Sequence, residues 1–146
     1  MSNPVGPQGR MQLGLNVGDL DAAIEFYRNV FGVEPAKVRP GYANFAIAEP
    51  PLKMVLFASE KGGTINHLGV EVDSTERVVD ATRHLISQGL TTEEQVGTDC
   101  CYALQDKVWV RDPDGLEWEW YTVLADTEQA DDGACCVTEE TTAACC

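Results

Sequence analysis

Basic residues are scarce in this chain. Lysine and arginine total 10 against 24 aspartates and glutamates, a formal net charge of -14. Such a surface repels phosphate backbones, which argues against nucleic acid and anionic membrane as partners. It suits a protein that binds a small molecule or a cation. Long apolar runs are missing as well, since none reaches the ~20 residues a bilayer-spanning helix needs. The opening segment MSNPVGPQGR has no apolar signal-peptide stretch. The expected compartment is therefore the cytoplasm, where thiols are kept reduced.

What is present fits one compact domain of 146 residues, with 44% hydrophobic residues to fill a core. The six cysteines fall into three vicinal pairs: Cys100 with Cys101, Cys135 with Cys136, and Cys145 with Cys146. A bond within such a pair is awkward, because neighbouring α-carbons lie ~3.8 Å apart and disulfides prefer ~4.4–6.8 Å. Bonds between pairs would need an oxidising setting. In a reducing compartment the pairs are better read as dithiols awaiting a soft ligand.

The folded part is expected over residues 10–124. Beyond it, ADTEQADDGACCVTEETTAACC is acidic and poor in large apolar groups, and residues 125–146 read as a disordered tail. Its four cysteines are either incidental or a capture device for a metal or metalloid. Within the core the sequence repeats at an offset of 55 residues, so that QLGLNV from Gln12 faces HLGVEV from His67. A helical pattern follows each segment. The first is capped by Asp19, closed by Gly32, and carries an apolar face of Leu20, Ala23, Ile24, Tyr27, Val30 and Phe31. The second starts at Asp73 or Ser74, uses Val78, Val79, Leu85 and Ile86, and closes at Gly89. Strand-like pieces come next: ANFAIA and LKMVLFAS in one half, CYALQDKVWVRD and LEWEWYTVL in the other, the last two joined by a DPDG turn. The fold class is α+β, a small unit repeated twice in the order β-α-β-β(-β), with module one at about 10–60 and module two at about 64–124.

Three residues open chemistry. Gln12 and His67 occupy equivalent strand starts, and Glu119 lies on the last strand, where alternation puts it with Glu117 and Tyr121 on the face opposite Trp118 and Trp120. By itself His67 reads first as a satisfied strand-start histidine, and its equivalence to Gln12 in the repeat and the nearby carboxylate strengthen the functional reading. Taken together, an amide oxygen, an imidazole and a carboxylate leave a bound divalent metal with open positions, as in non-haem ferrous sites. The place equivalent to Glu119 in the first half falls near Val55, which is apolar and argues against a fourth ligand. Cys100 and Cys101 follow QVGTD, and they can act together only in a turn or loop, since strand neighbours point to opposite faces. There they could bind a thiophilic centre such as trivalent arsenic, cadmium or mercury; otherwise they are two small buried apolar residues.

MQLGLNVGDLDAAIEFYRNVFG, NHLGVEV and RDPDGLEWEWY resemble the vicinal oxygen chelate superfamily of glyoxalases, bleomycin-resistance proteins and extradiol dioxygenases. That resemblance implies paired βαβββ modules around a metal or ligand cleft. KVRPGYANFAIAEPPLKMVLF and TDCCYALQDKVWV are further similar to the organoarsenical carbon–arsenic lyases and to proteins labelled cadmium-induced. This second likeness implies a Fe(II)-dependent dioxygenase that uses dioxygen to cleave the C–As bond of trivalent methyl- and aromatic arsenicals, releasing arsenite. It carries the metal ligands onto Gln12, His67 and Glu119, with Glu117 the lesser choice, and arsenic binding onto Cys100 and Cys101. A homodimer is common among such relatives. Two other readings stand beside it: a non-catalytic thiol protein sequestering organoarsenicals or cadmium, and a glyoxalase-like isomerase, which would need the fourth ligand that Val55 does not supply.

Overall fold

The computed structural model describes residues 9–126; Ala125 and Asp126, expected in the tail, belong to the last strand, and the rest of that expected tail, with Cys135, Cys136, Cys145 and Cys146, lies outside the described residues. Two runs of βαβββ follow one another: β1 (Arg10–Val17), α1 (Leu20–Phe31), β2 (Lys37–Arg39), β3 (Tyr42–Ile47) and β4 (Leu52–Ala58), then β5 (Thr64–Glu71), α2 (Thr75–Ser87), β6 (Glu93–Cys100), β7 (Ala103–Arg111) and β8 (Glu117–Asp126). The repeat seen at the 55-residue offset is therefore structural, and the class is α+β as expected. Two compact units divide within β5, between Leu68 and Gly69.

In the first unit the strands lie in the order β2-β3-β4-β1-β5. β1 runs parallel to β4, with Gln12 opposite Lys53 and Gly14 opposite Val55. α1 begins where Asp19 Oδ1 accepts from the Ala22 amide at 3.1 Å, and ends where Gly32 turns left-handed at φ 67. Its stripe of Leu20, Ala23, Ile24, Tyr27 and Phe31 packs on Phe45, Ile47, Met54 and Leu56. Val30 does not join them and is 55% exposed. At about 100° per residue it sits at the edge of that stripe and turns outward.

The second unit pairs β8-β7-β6 antiparallel. Ser74 caps α2 by accepting from the Arg77 amide. Val78 and Leu85 meet Val72 and Val108, with Trp120 packed against the same cluster. Val79 and Ile86, expected on the apolar face, are exposed at 41% and 55%. They line a cleft of about 240 Å³ with Val96, Arg83 and Thr75. Between β7 and β8, Asp112 Oδ1 accepts from the amides of Asp114 and Leu116, which builds the DPDG turn as a side-chain-capped hairpin.

The segment read as a loop before the cysteines is instead strand β6. Its register against β7 shifts between Gln95 and Thr98, a bulge at which Gly97 adopts φ 62 and donates to Asp106 Oδ1 at 2.7 Å. The same carboxylate accepts from Thr75 Oγ1 at the start of α2, also at 2.7 Å. Asp106 thus ties the bulge to the helix N-terminus.

Candidate functional site

Gln12 and His67 belong to the first unit, on the neighbouring strands β1 and β5. Gln12 is 5% exposed, and its Oε1 is buried without a hydrogen-bond partner. A buried amide oxygen left so costs about 1–3 kcal/mol, which a cation would offset by accepting its lone pair.

His67 is 1% exposed. Its ring lies 5.9 Å from the Phe57 ring, centroid to centroid. Nδ1 is 2.7 Å from Asn66 Oδ1. Gly14 leaves the room for this ring: a Cβ there would stand 3.0 Å from the His67 carbonyl oxygen and 3.1 Å from Nδ1. Neither Asn66 nor Gly14 was singled out for the site from the sequence. The only signal for Gly14 was its repetition as Gly69, a small residue two places after each of the strand-start candidates Gln12 and His67.

Glu119 lies on β8 in the second unit and is 1% exposed, as is Lys107. Lys107 Nζ approaches Glu119 Oε1 to 2.9 Å, an ion pair by distance though not an aligned hydrogen bond. The ammonium also lies 5.4 Å from the Trp109 ring centre and 5.9 Å from that of Tyr121. Aromatic faces stabilise a cation they enclose. Glu117 is different, paired at 3.3 Å with the half-exposed Arg111 near the surface. Burial therefore separates the two glutamates.

The cysteine pair is also in the second unit. Cys100 ends β6 and pairs with Ala103, leaving Cys101 and Tyr102 as a two-residue turn. Both turn residues have positive φ, 52° and 64°. A turn with two such residues normally takes Asn-Gly, since a side chain there costs roughly 1–2 kcal/mol. Cys101 is half-buried and Tyr102 is buried at 9%. This is a tight, strained hairpin tip, and such strain is retained mainly at functional positions.

Among the described residues no group of three or more His, Cys, Asp or Glu side chains could hold a metal. No helix among them is long and apolar enough to cross a membrane.

The model of the Glyoxalase/Bleomycin resistance protein/Dioxygenase superfamily matches residues 10–120, and the chain belongs to that superfamily. It is 60% identical over 120 residues to the cadmium-induced protein CadI of Mycobacterium bovis, covering 82% of this chain and 79% of the relative. It is 56% identical over 132 residues to the trivalent organoarsenical cleaving enzyme of Thermomonospora curvata, covering 87% of each. In fold it is similar to an extradiol ring-cleaving dioxygenase from B. fuscum, at 21% identity and a TM-score of 0.59 over 82% of this chain. It spans about 34% of that longer enzyme.

Proposed function

We propose that the protein is a Fe(II)-dependent dioxygenase that cleaves the C–As bond of trivalent organoarsenicals and releases arsenite. The observation that carries the metal half is the buried, unpartnered Oε1 of Gln12. The donor set is Gln12, His67 and Glu119, so one ligand must be the amide. Ferrous iron held there supplies the activation of dioxygen. The likeness to an organoarsenical cleaving enzyme supports the substrate class.

The chain's own residues do the rest. Cys100 and Cys101 exchange with the two hydroxyls of methylarsonous acid, forming two As–S bonds and releasing two waters. Capture at the hairpin tip makes the later encounter intramolecular and removes much of its entropy cost. The overall reaction balances without an outside reductant: methylarsonous acid and dioxygen yield arsenous acid and formaldehyde. Glu119 contributes the carboxylate of the donor set, and Lys107 stands beside it in the interior with Nζ 2.9 Å from Oε1.

Arsenic speciation tests the reading. Wild type loaded anaerobically with ferrous iron is given methylarsonous acid and then air, beside Cys100→Ser and Glu119→Ala. Arsenite from wild type alone is the expected result. Methylarsenic retained with no arsenite, and indifferent to Glu119→Ala, would mean a thiol binder without turnover.

A further inference from the structure

A chain of side-chain hydrogen bonds runs away from His67 through the first unit. Thr64 Oγ1 donates to the Lys61 carbonyl at 2.6 Å. A carbonyl can only accept, so that hydroxyl proton is committed. Thr64 Oγ1 must then accept from Asn16, whose Nδ2 lies 2.9 Å away. This turns Asn16 Oδ1 toward Asn66 Nδ2, at 3.0 Å. Asn66 in turn presents its own Oδ1 to His67 Nδ1 at 2.7 Å. An amide oxygen also only accepts, so Nδ1 carries the proton. In a neutral imidazole Nε2 then holds the lone pair.

Each amide orientation follows from the next link, and the sequence of acceptors ends on backbone. The direction is therefore fixed from outside inward. Thr64 is exposed and Asn66 partly buried, while His67 is 1% exposed. Gly14 confines the same ring from the opposite strand. We propose that Thr64, Asn16 and Asn66 form a one-way relay that holds His67 as the Nδ1–H tautomer and presents Nε2 to a divalent cation. Asn66 is a positioning residue in this arrangement. The cation half of the inference rests on the function proposed above; the tautomer does not.

The chain has two histidines, His67 and His84. Long-range proton–nitrogen spectra of the metal-free, ¹⁵N-histidine-labelled protein therefore show two imidazoles, assigned with His84→Gln. The wild-type His67 signal is expected to show a protonated Nδ1 and a bare Nε2. Asn66→Leu is expected to move it to the Nε2–H form or a mixture, and to weaken Co(II) binding, read by chelator competition, about 10- to 100-fold. Asn66→Asp, which still accepts from Nδ1, is expected to keep the wild-type tautomer. Thr64→Val alters only an exposed link and shifts the signal in the same direction by less, so it carries the test should Asn66→Leu fail to fold. A wild-type Nε2–H signal overturns the relay, and so does an Asn66→Leu protein with unchanged tautomer and Co(II) affinity. Co(II) binding that is absent, or indifferent to Gln12→Leu, sinks the metal reading and leaves the nitrogen signal to decide the relay by itself.

Discussion

Gly14→Ala probes the most confined point of the first unit. The added methyl would sit 3.0 Å from the His67 carbonyl oxygen, 3.1 Å from Nδ1 and 3.2 Å from Cε1. Ordinary van der Waals contact begins near 3.5 Å, so ring and strand must each yield a few tenths of an ångström. Overpacking of this kind costs about 1–3 kcal/mol. Removing a glycine from the unfolded chain returns about 0.4–1 kcal/mol, since the native backbone here is not left-handed. The net loss is about 1–2 kcal/mol, read by urea denaturation. Displacing the ring should also weaken Co(II) binding by about an order of magnitude, because the imidazole proposed as a ligand no longer lies along its held direction. Gly18→Ala is the control, as a Cβ there meets nothing within 4 Å. It should leave both readings unchanged or slightly raise stability. A Gly14→Ala protein with wild-type stability and wild-type Co(II) affinity would refute the argument that this glycine makes room for the ring.

Two further outcomes follow from the buried polar groups. Lys107→Met strips a counter-charge from a glutamate that is 1% exposed and should cost about 3–5 kcal/mol. Adding Glu119→Gln should recover most of that loss, and strictly additive losses in denaturation would contradict the pairing. Gln12→Leu should behave oppositely: removing an unsatisfied buried oxygen raises the stability of the metal-free protein by about 1–2 kcal/mol. The same variant should lose Co(II) binding, and a less stable protein in chelator would tell against an orphaned amide.

Much of the fold was legible because its signals are local. Asp19 and Ser74 cap helices by short side-chain contacts, and the DPDG turn is built by Asp112 within four residues. The 55-residue offset exposed the duplication directly. Strand β6 was not legible. EEQVGTDC has little apolar alternation, and the bulge at Gly97 breaks the period that remains. The turn after it also defies the usual chemistry, since Cys101 and Tyr102 occupy positions that favour Asn and Gly. At the site, the strand-start positions of Gln12 and His67 could be found by repetition. Asn16, Thr64 and Asn66 could not. Their roles depend on which amide faces which partner between residues 48 and 50 positions apart. Lys107 was hidden differently, because a lysine in a strand ordinarily marks the wet face.

Three features of the structure share a thermodynamic sign. A buried amide oxygen without a partner, a lysine and glutamate both withdrawn from water, and two side chains at positive φ each lower the stability of the unit that carries them. Hydrophobic replacements of similar volume would make a firmer core. Packing therefore gives no reason for these residues to stand where they do. The function proposed above would give one: a cation would satisfy the amide oxygen of Gln12, and a thiophilic substrate would use a thiol at the strained hairpin tip. The cleanest sign of such a trade is a variant that folds better and binds worse, and Gln12→Leu is placed to show it.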